Sequence, residues 1–594
     1  MALLATLAAL ALVLPVFLEV WRTTRFYDTD DAMRLVQVRD FLNGQGWFDL
    51  VAHRLNPPDA MLSHWSRIID VPLAGMILFF SLFTDRESAE TLTRLAFPLL
   101  LQFAYFAALF ALFRRMAGSR ALIAGFFLAV LCSSTNLQFL PGRIDHHAPQ
   151  ILLLVLMALT SVQCFDTSHA ASARRGAILL GCLIALSMAI SIENLPFIAA
   201  LLAVFGFAWI VMREPAEQAF LQHVLPALGA ALLSASFIAF ALTVPPSRYF
   251  DPVADAFGIG HLAILATAGL LFIVCGFLTP YLRNSIARLA LMLAAGVALV
   301  ASIAVWCPYL LHDPLAGVDP LVRSTWLTHV REARPLWQVF LNAPVANTQY
   351  VGPLLLGLAA IAWAVRVNAG AARWQWLALG ALALAGTLAA AWQVRALTSV
   401  MPIVLVGGAW AVVQAIRIFA HEKMPMAFVK PACVAVLFCV QIWQGVGQSL
   451  AQAVPGQGEM TTEQGAAADA CFDAASFAPL KALPAARVLA PIDLGPFILV
   501  YTPHTVVAGP YHRNNAGNRL LIETMLAPPE KARALAQASQ AQVLAFCPAG
   551  REVMLRYARL APDGLAATLQ RGQTPSWLSP IGDSAAPVQR YAIH

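Results

Sequence analysis

The sequence has 594 residues, of which 59% are hydrophobic and only 12% charged, with a net charge of +6. A soluble globular chain carries about 25% charged residues, so roughly half the charge needed to cover a water-facing surface is missing. This excludes a soluble enzyme, a nucleic-acid binder, a disulfide-rich secreted module and a disordered chain, and leaves a membrane protein.

Apolar stretches of about 17–25 residues, long enough to cross a bilayer, fall at 1–20, 91–113, 121–140, 148–165, 176–192, 195–212, 221–243, 261–279, 289–306, 351–367, 374–392, 397–416 and 429–449. They predict about thirteen transmembrane helices. The run Val71–Phe83 is too short for a simple span and reads as re-entrant or interfacial. The first run has no basic n-region and no small-residue cleavage site, so it reads as a span and not as a signal peptide. With the N-terminus placed inside, the inner loops receive most of the basic residues, among them Arg114, Arg115, Arg174, Arg175, Arg283, Arg288, Arg366, Arg373, Arg417 and Lys423. Such an excess marks cytoplasmic loops. The expected location is a bacterial inner membrane, with the N-terminus cytoplasmic and everything after Leu450 periplasmic.

The expected organisation is a transmembrane unit over 1–450, with large outer loops at 21–90 and 307–350, followed by an extracytoplasmic domain over 451–594. In the first loop, Asp31–Leu42 is helix-like, with Leu35, Val38 and Leu42 on one face. The tail opens with the linker Pro455-Gly456-Gln457-Gly458. Strand-like runs at Arg487–Ala490, Ile498–Tyr501 and Val543–Phe546 then alternate with a helical stretch at Pro529–Ser539, which predicts a small α/β domain. Cys471 and Cys547 both lie there, where a disulfide is permitted but not fixed by spacing.

The ionisable residues near span ends collect on the outer side: Asp28, Asp30 and Asp31 after the first span, Arg143, Asp145, His146 and His147 after the third, then Glu193, Glu332 and Arg395. Each has a plainer reading. The Asp run and the His pair suit helix caps, Glu193 suits a turn between spans, and Arg395 suits a snorkelling side chain. Together, carboxylates with an imidazole suit a divalent cation, Mn²⁺ or Mg²⁺ where oxygen ligands dominate. A carboxylate that is not a ligand serves as general base, and an Arg close by grips a phosphate. This chemistry fits transfer from a phosphate-activated donor held in the membrane.

These residues resemble the GT-C-fold membrane glycosyltransferases, and within them the catalytic subunit of oligosaccharyltransferase. Asp30 matches the first-loop Asp that in that family binds metal and acceptor. Pro141-Gly142-Arg143-Ile144-Asp145-His146-His147 is similar to the second acidic motif, with His147 where the family has Glu. Val330-Arg331-Glu332-Ala333-Arg334-Pro335 resembles the later loop motif, and Arg395 corresponds to the arginine that pairs with the donor phosphate. Asp493-Leu494-Gly495-Pro496-Phe497-Ile498 occupies the place of the WWDYGYQI signature, and Pro510-Tyr511-His512-Arg513-Asn514-Asn515 follows. Pro491-Ile492 stands where that signature has its Trp pair, the part that helps read an Asn-x-Ser/Thr acceptor. Asp31-Ala32-Met33-Arg34-Leu35 resembles the corresponding start in lipid-modifying members of the fold.

The resemblance implies a glycosyltransferase that moves a sugar or oligosaccharide from a polyprenyl phosphate or pyrophosphate to a lipid, glycan or protein acceptor. It implies Asp30, Asp31 and Glu332 as catalytic, and Asp30, Asp145, His147 and Glu332 as holding the cation. Arg395 is expected on the donor phosphate. His64, Arg67, His146, Asp493, His512 and Arg513 are expected as substrate contacts, although simple loop structure explains His64 and Arg67 equally well. The alternative is a transporter or flippase of lipid-linked sugars, which calls for internal symmetry and broken helices.

Overall fold

The computed structural model describes residues 1–313, 315–342, 344–453, 469–549, 552–583 and 585–594. The linker expected at Pro455–Gly458 lies outside the described residues. Ten helices are long and apolar enough to cross a membrane, and three bent helix pairs bring the number to 13 if each pair is one span. The chain is an α-helical integral membrane protein. The short run after Asp70 forms a separate helix, Asp70–Phe80, that leaves Leu78 and Phe79 exposed.

Three of the expected spans are broken. Ala2–Leu12 with Leu14–Thr23 bends by 68°, Ala121–Val130 with Ser133–Phe139 by 58°, and Met426–Leu437 with Val440–Ser449 by 71°. A break in an apolar setting frees carbonyls that must find donors. At the second break, Asn136 Nδ2 donates to the carbonyls of Ala129 and Val130 at 3.0 and 2.8 Å, and Gln441, from just beyond the third break, donates to that of Leu131. The third interruption thus supplies a donor to the second.

The helices Pro215–Thr243 and Ile259–Leu278 cross very closely. A Cβ on Gly229 would stand 2.3 Å from the Gly269 carbonyl oxygen, and one on Gly269 would stand 2.8 Å from that of Gly229. Only hydrogen fits at either position. Ser285–Trp306, by contrast, buries almost nothing and faces outward along its apolar length.

In the loop after the first helix pair, β1 (Val51–Ala52) and β2 (Met61–Leu62) form a short antiparallel pair. The C-terminal region holds β3 (Arg487–Leu489), β4 (Thr505–Val506), β5 (Val543–Phe546), β6 (Leu578–Pro580) and β7 (Gln589–Ile593) in the order β4-β3-β5-β7-β6. Pairing is parallel for β3 with β4 and β5, and antiparallel for β7 with β5 and β6. Cys471 and Cys547 form a disulfide.

Ile498–Tyr501, expected as a strand, is instead the end of the helix Gly495–Tyr501. Gly495 opens it because a Cβ there would stand 2.1 Å from the Ala508 carbonyl, and Pro496 follows in the first turn, where a missing N–H costs nothing. A short run that is apolar on every side carries no period to separate strand from helix. This helix is buried against the first-loop helix Thr29–Leu42, sharing a core of Met33, Val36, Phe497 and Ile498. The second large loop packs Val318, Val322 and Trp326 onto another face of the C-terminal region, beside Leu521 and Met525.

Candidate active site

The site begins at the start of the helix Thr29–Leu42, where Asp28 is the cap: its carboxylate accepts from the Asp30 N–H at 3.0 Å. Asp30 and Asp31 sit in the first turn, where the helix dipole favours negative charge. The Arg143 guanidinium lies among three acids, donating to Asp28 at 2.6 Å and Asp145 at 2.5 Å, with Asp31 at 3.5 Å. Asp31 is buried, and its Oδ1 accepts from the N–H groups of Ile144 and Asp145 at 2.7 and 3.0 Å. The other Asp145 oxygen accepts from the His147 N–H at 2.8 Å, at the start of the helix His147–Cys164. Burial opposes charge on Asp28, but Arg143 prevails and holds its carboxyl down at about 2. Burial wins at Asp31, pushing it up to about 7 despite Arg143. Two of the acids expected to act chemically, Asp31 and Asp145, are thus held largely by this net.

Asp30 and Glu332 differ from them. Among the described residues neither carboxylate has a hydrogen-bond or ion-pair partner. Burial pushes the Asp30 carboxyl well up, and the charges of Asp28, Glu332 and Asp145 add to the shift. Glu332 lies in the turn Arg331–Ala333 of the second large loop. That turn is pinned to the start of the helix Ala396–Ile418, with Val394 N–H donating to the Arg334 carbonyl at 2.8 Å and Arg395 N–H to that of Glu332 at 3.3 Å. Beside them Glu193 bridges three cationic or imidazole groups. His147 Nδ1 is 3.2 Å from one of its oxygens, while Arg395 Nη1 and His146 Nε2 are 3.2 and 3.5 Å from the other. The Arg395 side chain remains 41% exposed, open to an incoming anion. Five segments distant in sequence thus supply one polar surface.

No family model matches the sequence, and no curated protein matches it. Solved structures do. Archaeal oligosaccharyltransferase AglB from Archaeoglobus fulgidus, in complex with an inhibitory peptide and a dolichol-phosphate, aligns with TM-score 0.69 at 13% identity, covering 100% of this chain and 74% of that one. The apo form of the Archaeoglobus fulgidus enzyme gives 0.71 at 14% identity over 98% and 72% of the two chains. Its complex with Zn and sulfate gives 0.62 at 15% identity over 100% and 73%. The fold is like that of the archaeal oligosaccharyltransferase. Such distant identity establishes this fold and leaves the chemistry to the residues in place.

Within the oligosaccharyltransferase fold, the remaining expected residues separate into two groups. His512 and Arg513 both hold Asp255, at 2.5 Å and at 2.6–2.8 Å, which ties the loop before the helix Ile259–Leu278 to the C-terminal region. Burial opposes charge on Asp255, yet Arg513 and His512 keep it well below the usual carboxylate range. His64 packs its ring 5.4 Å from that of His512. Burial, then the charges of His512 and Arg513, press its imidazole well below the ordinary range. A cavity of about 80 Å³ opens here between Ser63, His64, Ser191, Asp255 and Arg513.

Arg67 is engaged by Asp70 at 2.9 Å, by Gln45, and by the carbonyls of Gln37 and Asp49, so its guanidinium braces the first loop from within. Asp493 lies in the turn Ile492–Leu494, near Tyr557. Sequence reasoning gave Asp28, Arg143 and Glu193 no assigned role, although all three were visible as ionisable residues at span ends. Asp255, in an irregular loop, carried no signal.

Proposed function

We propose that this chain is a membrane glycosyltransferase that moves a sugar or oligosaccharide from a polyprenyl phosphate or pyrophosphate donor to a lipid, glycan or protein acceptor at the outer face of the membrane. The observation that carries the reading is the pair Asp30 and solvent-exposed Glu332, two mutually repelling carboxylates without a hydrogen-bond or ion-pair partner among the described residues, beside His147 and a half-exposed Arg395. Carboxylates without a protein partner among the described residues fit a divalent cation, which Asp145, His147 and Glu332 would hold while Asp30 is kept as the base; the oxygen-rich set favours Mn²⁺ or Mg²⁺. Such a cation neutralises charge on the donor's phosphate groups.

The chain's own residues supply the remaining functions. Arg395 holds the departing phosphate through charge-assisted hydrogen bonds. Asp30, whose carboxylate has no hydrogen-bond or ion-pair partner among the described residues, accepts the proton of the acceptor nucleophile as it attacks the anomeric carbon. Arg143, Asp28 and Asp31 hold the loops that carry these groups. Pro491-Ile492, in the place of a Trp pair, favours an acceptor other than an Asn-x-Ser/Thr peptide.

The accompanying topology is an inner-membrane unit over 1–450 with a cytoplasmic N-terminus and a periplasmic domain over 451–594. The distribution of basic loops supports it, as does a disulfide between Cys471 and Cys547, which forms in oxidising compartments. One observation favours the transporter reading: the three broken helix pairs. Purified protein given labelled polyprenyl-phospho-sugars in vesicles separates the two readings. A transferase releases polyprenyl phosphate or pyrophosphate and labels the acceptor, and EDTA stops it. A flippase moves intact donor between leaflets.

A further inference from the structure

Glu193 lies in a turn whose shape does not need its carboxylate. Ser191 Oγ accepts from the Glu193 N–H at 3.3 Å. Asn194 Nδ2 donates to the Gln150 carbonyl at 3.0 Å and to Ser187 Oγ at 3.0 Å. Gln150 in turn donates to the carbonyls of Ser187 and Ser191 at 2.8 and 3.1 Å. These bonds close the turn through Ser187, Ser191, Asn194 and Gln150, without the Glu193 carboxylate. The Glu193 side chain points elsewhere, one oxygen 3.2 Å from His147 Nδ1 and the other 3.2 Å from Arg395 Nη1 and 3.5 Å from His146 Nε2.

His147 therefore has its Nδ1 engaged by Glu193 and its backbone N–H by Asp145, which leaves Nε2 as the remaining ring nitrogen. A histidine that binds metal through one ring nitrogen characteristically gives the other to a carboxylate, which fixes its tautomer and orientation. The same carboxylate sets the direction of the Arg395 guanidinium.

We infer that Glu193 is a positioning residue of the transfer site: it holds His147 with Nε2 facing the cation site and holds Arg395 toward the donor phosphate, so that metal and donor affinity are coupled through one side chain. The inference rests on the proposed glycosyltransferase reading. It requires the carboxylate at 193 to act on two separate measurable quantities, which a residue that merely shapes the turn does not do.

The test uses purified full-length protein, Mn²⁺ titration followed by EPR, and steady-state transfer from a labelled polyprenyl-phospho-sugar. Wild type binds Mn²⁺ with nitrogen modulation from a single imidazole in pulsed EPR, and His147→Gln abolishes the modulation. Glu193→Gln weakens Mn²⁺ about 10–100-fold and raises the donor KM more than it lowers kcat, while Glu193→Asp recovers part of both. Mn²⁺ affinity and donor KM within twofold of wild type in Glu193→Gln overturn the inference. So does nitrogen modulation from two imidazoles that His146→Gln reduces to one, since Glu193 and the His pair would then all be direct ligands. Wild-type protein that binds no Mn²⁺ overturns the metal reading itself, and this inference with it; the first two outcomes leave that reading standing.

Discussion

At the scale of single residues, Arg143 and Asp30 divide the work of one acidic cluster. Arg143 meets Asp28, Asp31 and Asp145 within 3.5 Å and is itself mostly buried, so removing it strands three acids in a poorly hydrated place. Breaking a buried ion pair from one side costs about 3–5 kcal/mol. Arg143→Gln is accordingly expected to lower the thermal stability of the detergent-solubilised protein substantially, and an unchanged melting profile would remove Arg143 from its structural role. The charged cluster was legible in the sequence because ionisable side chains at span ends are rare in so apolar a chain. Which of them pair internally was not legible, because that depends on contacts between segments more than a hundred residues apart, such as Asp31 with the Ile144 and Asp145 N–H groups.

At the scale of elements, the spans were legible from hydropathy, but their breaks were not. The interruption near Leu131 contains no proline and depends on Asn136 and on Gln441, a donor from a different span. The helix Gly495–Tyr501 was misread for the related reason that its burial on all sides erases periodicity. Glycine contacts are equally silent in sequence and strict in space. Gly229→Ala pushes a Cβ onto the Gly269 carbonyl of the neighbouring helix, and overpacking of this kind typically costs about 1–3 kcal/mol. The expected outcome is a lower melting temperature in the same detergent, whereas Gly296→Ala, which meets open space, leaves it unchanged. Equal behaviour of the two variants would contradict the close crossing.

At the scale of the whole molecule, the two large loops and the C-terminal region hold one another around the site. Tyr511 of the C-terminal region donates to the Thr29 carbonyl at 3.2 Å, one residue from Asp30. Asp319 of the second large loop is 3.1 Å from Arg519 and accepts from Leu321 N–H at its own helix start. The Cys471–Cys547 disulfide closes a sequence separation of 76 residues, which by loop entropy stabilises the region by about 4 kcal/mol. Reduction is therefore expected to lower the unfolding temperature of the C-terminal region, and protein from cells should run differently on reducing and non-reducing gels. Free thiols at both positions in untreated protein would contradict the bridge and weaken the periplasmic assignment. That the C-terminal segment forms a small α/β unit was legible from its runs and turns; how it clasps the membrane helices was not, because the clasp consists of single polar contacts such as Asp255 with Arg513.

The most direct test of the central claim measures transfer of a labelled sugar from a polyprenyl-linked donor by purified wild-type protein and by Asp30→Asn, side by side with Mn²⁺ present. Wild type is expected to turn the donor over. Asp30→Asn, folded and still able to bind donor through Arg395, should fall by at least about 100-fold, the usual contribution of a general base. Turnover by Asp30→Asn at the wild-type rate would contradict the account.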